Sequence, residues 1–309
     1  MKALFIVKST ARGAADIRSK LAVLPSDKGF TSLAIELTEY AGHAADIARQ
    51  HCSSMDVIIA VGGDGTLNEV VNGCMAATAD DPGSQLPLLG VVASGTANDF
   101  VKSTTLKGTL EEVVQLALSK SCKSIDLGCV TYRDAQGLEA NRYFLNVADM
   151  GIGAEVVRRV NAGEGRFGAN MVYLKAIVAT FFQYRKPMLQ VRSDAGFSWQ
   201  GRALACIVGN GRSFGSGLHA VPQAVIDDGR LHAVVIGDVS LLDFARKLPQ
   251  LKRGRVIEHP EVIYHAANSL TLSVLEGCCA MEVDGEYLDC SDVAVTVLPG
   301  AVKLLLPCS

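Results

Sequence analysis

The chain lacks a charge imbalance: 29 Lys and Arg against 32 Asp and Glu leave a formal net charge of −3. A nucleic-acid partner needs a basic field that neutralises phosphates, so no DNA or RNA partner is expected. Long apolar runs are missing as well. A spanning helix needs about 20 predominantly apolar residues, and the stretch Lys175 to Phe182 is broken by polar neighbours. No transmembrane segment is expected, and any membrane contact would be peripheral. The apolar run Ala3 to Val7 is too short for a secretory signal and carries no cleavage pattern, which predicts a cytoplasmic protein. The nine cysteines include no C-x-x-C pair, and Cys278 and Cys279 are adjacent. Neither a zinc site nor a disulfide framework follows, and the thiols read as reduced and mostly buried. There is no internal repeat and no low-complexity segment.

What is present is globular composition, with 49% hydrophobic and 20% charged residues. At 309 residues the length favours two domains. Up to about residue 125, short β-branched runs alternate with longer amphipathic stretches, as in βα units around a parallel sheet. Strands are predicted at Ala3–Val7, Ser32–Leu37, Asp56–Val61 and Leu88–Val92, and helices at Ala14–Leu24, His43–His51, Thr66–Ala77 and Leu110–Ser119. Beyond Asp126 the texture becomes that of a largely antiparallel β domain. Its predicted strands are Tyr143–Val147, Leu189–Arg192, Ala203–Val208, Leu231–Val235, Ser269–Val274 and Val293–Leu298, interrupted by helices at Ala154–Val160, Asn170–Phe182 and Leu241–Leu251.

The first chemical signal is Gly62-Gly63-Asp64-Gly65-Thr66, which follows a buried-strand pattern and precedes a helix pattern. Glycines let the backbone approach a ligand closely, so several N–H groups can converge on phosphate oxygens, helped by the helix N-terminus. Thr66 and Asn68 can donate to oxygen. Asp64 would repel a bare triphosphate, so this reading requires Mg2+ between them. A glycine turn of this kind can equally just cap a helix through Asp64 or Thr66.

The full run Gly62-Gly63-Asp64-Gly65-Thr66-Leu67-Asn68-Glu69-Val70-Val71-Asn72-Gly73 resembles the diacylglycerol kinase catalytic-domain superfamily almost letter for letter. A second match, Ser94-Gly95-Thr96-Ala97-Asn98-Asp99-Phe100, resembles that family's Gly-Thr-x-Asn-Asp-Phe loop and separates the chain from NAD kinases, which share the first motif. The similarity extends over nearly the whole chain and is closest to the bacterial soluble lipid kinases. Further matching runs are Phe144 to Gly153, Pro222 to Gly229 and Val283-Asp284-Gly285-Glu286.

The resemblance implies an α/β nucleotide-binding domain of NAD kinase and diacylglycerol kinase type over residues 1–125, completed by 299–309. A β-sandwich-like domain is implied over 126–298, with the active site in the cleft between the two. It implies ATP and Mg2+ as cofactors, with Thr38, Gly62, Gly63, Asp64, Gly65, Thr66, Leu67, Asn68, Thr96, Asn98, Asp99 and Asp126 near the nucleotide. Asp284 and Glu286 carry the general-base role as a pair that the sequence does not separate, although Asp-Gly by itself is a common hairpin turn. Asp228, with the carbonyls of Val225 and Arg230, corresponds to a separate structural Mg2+ loop, and oxygen-only ligation suits that ion. His43 reads as a helix-face residue.

Two departures stand out. Lys8-Ser9-Thr10-Ala11-Arg12 replaces the family's Asn-Pro-x-Ser/Ala-Gly opening, and Ala93-Ser94 stands where the family usually has Pro. Arg158, Arg159, Arg166, Lys175, Arg185 and Lys186 flank Phe167, Tyr173, Phe181 and Phe182, a pattern that suits either an anionic lipid surface or two solvated helix faces. The expected function is ATP- and Mg2+-dependent transfer of the γ-phosphoryl group to a hydroxyl of diacylglycerol or a related lipid, reached at the inner membrane face. A homodimer is compatible with this reading. The alternatives are a kinase for a soluble alcohol or NAD, and a non-catalytic lipid- or nucleotide-binding protein of the same fold.

Overall fold

The computed structural model describes residues 1–307 apart from 12, 23–28, 82, 84, 135, 163–168, 214, 216 and 291, and apart from the side chains of 22, 161–162 and 169–175. Leu24, Arg12, Arg166 and Phe167 therefore lie outside the described residues, as do the side chains of Tyr173 and Lys175. Two compact units are present, Met1–Ile125 with Gly300–Ser309, and Asp126–Pro299.

The first unit runs β1 (Lys2–Lys8), α1 (Ala14–Ala22), β2 (Ser32–Thr38), α2 (His43–His51), β3 (Val57–Gly62), α3 (Asp64–Asp80), β4 (Leu88–Ala93), α4 (Asp99–Lys102) and α5 (Leu110–Ser119). Its strands pair in parallel in the order β2-β1-β3-β4. Every residue of β3 is buried, as a parallel strand covered on both faces requires. On α3, Leu67, Val70, Val71 and Cys74 recur at three- and four-residue spacing and are buried. Fully burying each such side chain stabilises by about 1.5–3 kcal/mol. At α5, the Thr109 hydroxyl accepts the Glu112 N–H at 3.3 Å, and Lys120 in the left-handed region ends the helix.

The second unit continues with β5 (Cys122–Arg133), β6 (Glu139–Phe144), β7 (Val147–Gly151), α6 (Ile152–Ala162), α7 (Ala169–Gln183), β8 (Met188–Ser193), β9 (Ser198–Arg202), β10 (Ala205–Gly209), β11 (Leu231–Ile236), α8 (Leu241–Lys252), β12 (Val262–Ala267), β13 (Ser269–Glu276), β14 (Met281–Val283), β15 (Glu286–Leu288) and β16 (Asp292–Leu305). The last strand ends in the first unit, where Leu304 pairs in parallel with Leu89. In the second unit β16, β13, β8 and β9 pair antiparallel in that order, and β5 pairs β6. A separate antiparallel sheet has the order β12-β11-β10-β7-β14-β15.

These sheets form a sandwich. Val191, Leu270, Leu272 and Val295 of one share a core with Met150, Val208, Leu231 and Val283 of the other. Alternation then sends Val147, Ala205, Ile207 and Val234 to the opposite face of the second sheet, where they form a second apolar cluster. That sheet is thus apolar on both faces, with consequences for the cavity described below. The expected architecture, an α/β domain followed by a β-sandwich, is the one found.

Two local expectations are corrected. Helix α3 begins at Asp64 rather than Thr66, with Gly63 as its N-cap. The predicted strand Tyr143–Val147 is instead the end of β6, a two-residue link and the start of β7. The link is diverted because the Asp284 carboxylate captures the backbone N–H groups of Leu145 and Asn146. Strands β9, β12, β14 and β15 carried no clear alternation signal.

In α3, Gly73 lets the helix lie against α2: a Cβ there would come 2.1 Å from the Ala45 carbonyl oxygen. Gly73→Ala is expected to destabilise the first unit by about 1–3 kcal/mol, since backbone must move to admit one methyl. A thermal melt at unchanged Tm would contradict this packing.

Candidate active site

The phosphate-loop candidates of the first unit are two turns bound to each other. Strand β3 ends in Gly62, whose carbonyl accepts the N–H groups of Ser94 at 2.8 Å and Gly95 at 3.1 Å. Gly63 and Gly95 approach so closely that a Cβ on Gly95 would sit 2.4 Å from the Gly63 Cα. Glycine is required at 95, while a Cβ on Gly63 would be tight at 3.2 Å from the Gly95 Cα. Asp64 completes the join, with its carboxylate accepting the Asp99 N–H at 2.8 Å and the Phe100 N–H at 3.0 Å. Burial pushes the Asp64 carboxyl up from its ordinary value, the two N–H donors pull it down, and the neighbouring Asp99 raises it again. A cation beside it would favour its charged form.

Other expected nucleotide residues divide by orientation. Thr96 is exposed, and Asn98 adopts φ 51° with its Nδ2 donating to the Gly95 carbonyl at 3.0 Å. Asn98 Oδ1 and Ser94 Oγ are buried without a protein partner, so this turn holds polar atoms a ligand can satisfy. Thr38 is buried, with its hydroxyl accepting the Ser9 N–H at 3.4 Å, which ties the altered first loop to the end of β2. His43 opens α2, accepts the Glu39 N–H through Nδ1 and stacks on Tyr40, the role of a helix-start residue.

Thr66, Leu67 and Asn68 can offer a ligand their backbone rather than their side chains. All three side chains are buried, because the earlier helix start turns them inward: Thr66 packs back on Gly62, Leu67 enters the core, and Asn68 Oδ1 accepts from Asn72. Their side chains do not reach the loop surface.

In the second unit, β14 and β15 form the hairpin that carries Asp284-Gly285-Glu286, with φ 48° at Asp284 and 88° at Gly285. The Asp284 carboxylate accepts three backbone N–H groups, from Leu145 at 2.8 Å, Asn146 at 3.0 Å and Val147 at 2.9 Å, and its own N–H donates to the Val147 carbonyl. Glu286 is different. Its side chain is 49% exposed and ion-pairs with Arg142 on β6. The structure thus separates two carboxylates that the sequence left as a pair: Asp284 anchors the turn, and Glu286 is presented from it.

Asp126 belongs to another polar centre. Its Oδ2 accepts the Gly229 N–H at 2.7 Å, and its N–H donates to the Ile226 carbonyl, so it clamps the turn that contains Asp228. Asp228 accepts the Arg230 N–H at 3.0 Å and meets His232 Nε2 at 2.9 Å. Val225 is exposed beside it. Among the described residues no three Asp, Glu, His or Cys side chains converge as a metal cluster. Ligands beyond Asp228 would therefore be carbonyls and water, a set that fits Mg2+, which keeps several waters when one carboxylate binds it.

Asn146 and Asn210 were missed in the sequence. Asn210 Nδ2 donates to the carbonyls of Asp126 and Leu145, while the Asn146 carbonyl accepts from Asn210 and Gly211. The Oδ1 atoms of both are buried without a partner. For Asn210 the signal was the Gly209-Asn210-Gly211 tripeptide at the end of a fully buried strand.

A cavity of about 110 Å3 lies over the outer face of the β12-β11-β10-β7 part of the second sheet, with α6, α7 and α8 contributing to its walls. Ile152, Val156, Ile207, Val234, Phe244 and Tyr264 are among its lining residues, and Asp149 is the one fully buried acid there. Nearby, the basic surface residues are mostly engaged. Arg158 and Arg159 bind Glu155, and Lys186 binds Asp238 and lies 5.7 Å from the Phe181 ring centroid. Val178 and Phe182, one turn apart on α7, are exposed, as is Leu242 on α8. No helix among the described residues is long and apolar enough to cross a membrane.

Comparison with known proteins agrees with this architecture. Residues 2–130 match the family model described as the diacylglycerol kinase catalytic domain, and residues 146–306 match the YegS C-terminal NAD kinase beta sandwich-like domain. A Yersinia enterocolitica protein named "Probable lipid kinase YegS-like" is 30% identical, over 98% of this chain and 96% of its own. A Staphylococcus aureus protein named diacylglycerol kinase is 31% identical over 81% and 74% of the two chains. Among solved structures, a diacylglycerol kinase from Bacillus anthracis superposes with a TM-score of 0.70 at 21% identity, covering 99% of this chain and 97% of that one. Yeast NADH kinase in complex with NADH superposes with a TM-score of 0.57 at 11% identity, covering 100% and 84%, a likeness of fold. With both domain models matched in order and a relative at this identity along almost the whole length, the chain belongs to the family of lipid kinases that joins a diacylglycerol kinase catalytic domain to a YegS-type C-terminal domain.

Proposed function

We propose that this protein transfers the γ-phosphoryl group of ATP to a hydroxyl of diacylglycerol or a related lipid. The observation that carries the lipid acceptor is the apolar cavity of the second unit. Recognition of NAD or a small polyol requires several convergent buried polar groups, whereas this cavity presents one buried acid on otherwise largely apolar walls. The exposed Val178, Phe182 and Leu242 suit contact with a membrane surface from which such a lipid is drawn.

In this reading the two joined glycine turns hold the nucleotide through backbone N–H groups, with Asn98 Oδ1 and Ser94 Oγ as additional partners. Asp64 keeps the second turn in place and adds a buried carboxylate to which a hydrated cation can bind. The base is Glu286. Asp284 already uses its oxygens on three N–H groups, which leaves Glu286, oriented by Arg142, to take the proton of the lipid hydroxyl. The lipid oxygen forms the new bond to phosphorus as the bond to the ADP oxygen breaks, and the hydroxyl proton ends on the Glu286 carboxylate. Mg2+ would supply charge neutralisation at the phosphates, and the Asp228 turn would hold a separate structural ion.

Incubation with labelled ATP and a panel of diacylglycerol, sphingoid base, phosphatidylglycerol and polyprenol tests the acceptor. Product on a soluble alcohol and on no lipid would sink the assignment. Glu286→Gln should lower kcat by about 100-fold or more while ATP affinity stays within about two-fold. Retention of turnover in that variant would move the base elsewhere. Separately, Mg2+ without nucleotide should raise the Tm of the wild type and leave Asp228→Asn unmoved; an equal rise in both would remove the ion from this turn.

A further inference from the structure

Beneath the candidate catalytic hairpin lie two acids that this proposed chemistry does not use. Glu282 on β14 stands directly opposite Asp149 on β7 in an antiparallel pair, so both side chains leave the same face of the sheet. They are 2% and 1% exposed. Glu282 reaches the hairpin: its Oε2 accepts the Gly285 N–H at 2.7 Å, the central peptide of Asp284-Gly285-Glu286. Asp149 reaches the other way. It accepts the Gly153 N–H at the start of α6, lines the apolar cavity, and keeps its Oδ1 buried without a partner.

No Lys, Arg or His among the described residues pairs with either acid. The other titratable groups around them are Asp284 from the hairpin, Cys206 from β10, Cys279 before β14, Tyr184 after α7 and Glu155 from α6. Glu155 is bound to Arg158 and Arg159, and the Tyr184 hydroxyl lies 3.6 Å from Cys279 Sγ. Burial pushes the Cys279 thiol up to about 11, and Cys206 and Tyr184 rise for the same reason, so these three carry no charge near neutral pH. Two carboxylates facing each other in a dry site without a cation cannot both ionise cheaply. Burial lifts Asp149 to about 7, and burial followed by the charge of Asp149 lifts Glu282 well above its ordinary value.

We propose that Glu282, held neutral by its place opposite Asp149, is a positioning residue that fixes the Asp284-Gly285-Glu286 turn, and that the pair makes this turn sensitive to pH. The functional half rests on the reading of Glu286 as the base. A neutral Glu282 accepts the Gly285 N–H at no electrostatic cost. Once it ionises, its charge faces Asp149 and Asp284 together, and β14 is pushed from β7 where the turn is anchored. The sign follows from linkage. Both carboxyls bind protons more tightly in the folded chain than in the unfolded one, so their contribution to stability is greatest below the ordinary carboxyl range of about 4 and declines as pH rises through about 7 and beyond.

The experiment uses the full chain without nucleotide or lipid, and then with both. Wild-type Tm should fall between about pH 5 and about pH 8, and the fall should be shallower in Glu282→Gln and in Asp149→Asn. Glu282→Leu, which removes the Gly285 acceptor, should lower kcat by about 10- to 100-fold with KM for ATP within about two-fold. Glu282→Gln should recover most of that loss, with its alkaline limb moved upward relative to wild type. A pH profile of Tm identical in wild type and Glu282→Gln would overturn the pair, whatever the enzyme phosphorylates. Failure of every lipid to react would strike the lipid-kinase reading while the Tm comparison still judged the pair. Should Glu282→Leu not fold, infrared spectroscopy of the wild type at neutral pH decides: a protonated-carboxyl band that Glu282→Gln removes supports the proposal, and no such band overturns it.

Discussion

The second unit depends on one carboxylate. Asp284 gathers the backbone N–H groups of Leu145, Asn146 and Val147, and in doing so ends β6, starts β7 and seats the β14-β15 hairpin against both. Hydrogen bonds to a charged acceptor contribute about 1.5–3 kcal/mol each, and losing the acceptor would strand three donors at once. The left-handed backbone at Asp284 is tolerable because a short acidic side chain can bond locally in that conformation. Everything downstream inherits this geometry: the direction of Glu286, the reach of Arg142 to it, and the register that sets Glu282 opposite Asp149.

The first unit reaches the same end by similar means. Asp64 uses its carboxylate on the N–H groups that begin α4, and Gly62 uses its carbonyl on those of Ser94 and Gly95. Each motif therefore uses its most chemically suggestive acid to fix backbone. This explains why the two glycine turns occur together. A Cβ on Gly95 would collide with Gly63, so the second turn sits this close to the first only with glycine at that position.

Periodicity made much of this legible in advance. The βα alternation of the first 125 residues and helices such as His43–His51 follow from spacing, because each element there buries one continuous apolar stripe or run. The motif residues Asp64, Asn98, Asp284 and Glu286 were visible through family resemblance, but their division of labour was not. Whether an acid binds backbone or faces solvent depends on partners up to 139 positions away, as for Asp284 and Leu145, and no local pattern encodes that. Strand β9 was hidden because its burial alternates only between half-buried and exposed, and β14 and β15 because three residues carry no period. The inward direction of Thr66, Leu67 and Asn68 was not legible either, because it depends on the strand and helix packed against the first turn of α3.

The same period-two rule that makes the second sheet apolar on both faces isolates its exceptions. Along β7 and β14, Ala148, Met150, Met281 and Val283 enter the sandwich core, and the residues between them, Asp149 and Glu282, point to the cavity face. Apolar side chains fill most neighbouring positions on that face. Stability alone does not account for the two acids, since replacing a buried polar pair by apolar groups of similar shape is commonly neutral or stabilising. Their contacts do account for them: one holds the peptide at the centre of the hairpin, the other lines the cavity, and their opposition joins these two places through a proton rather than through packing.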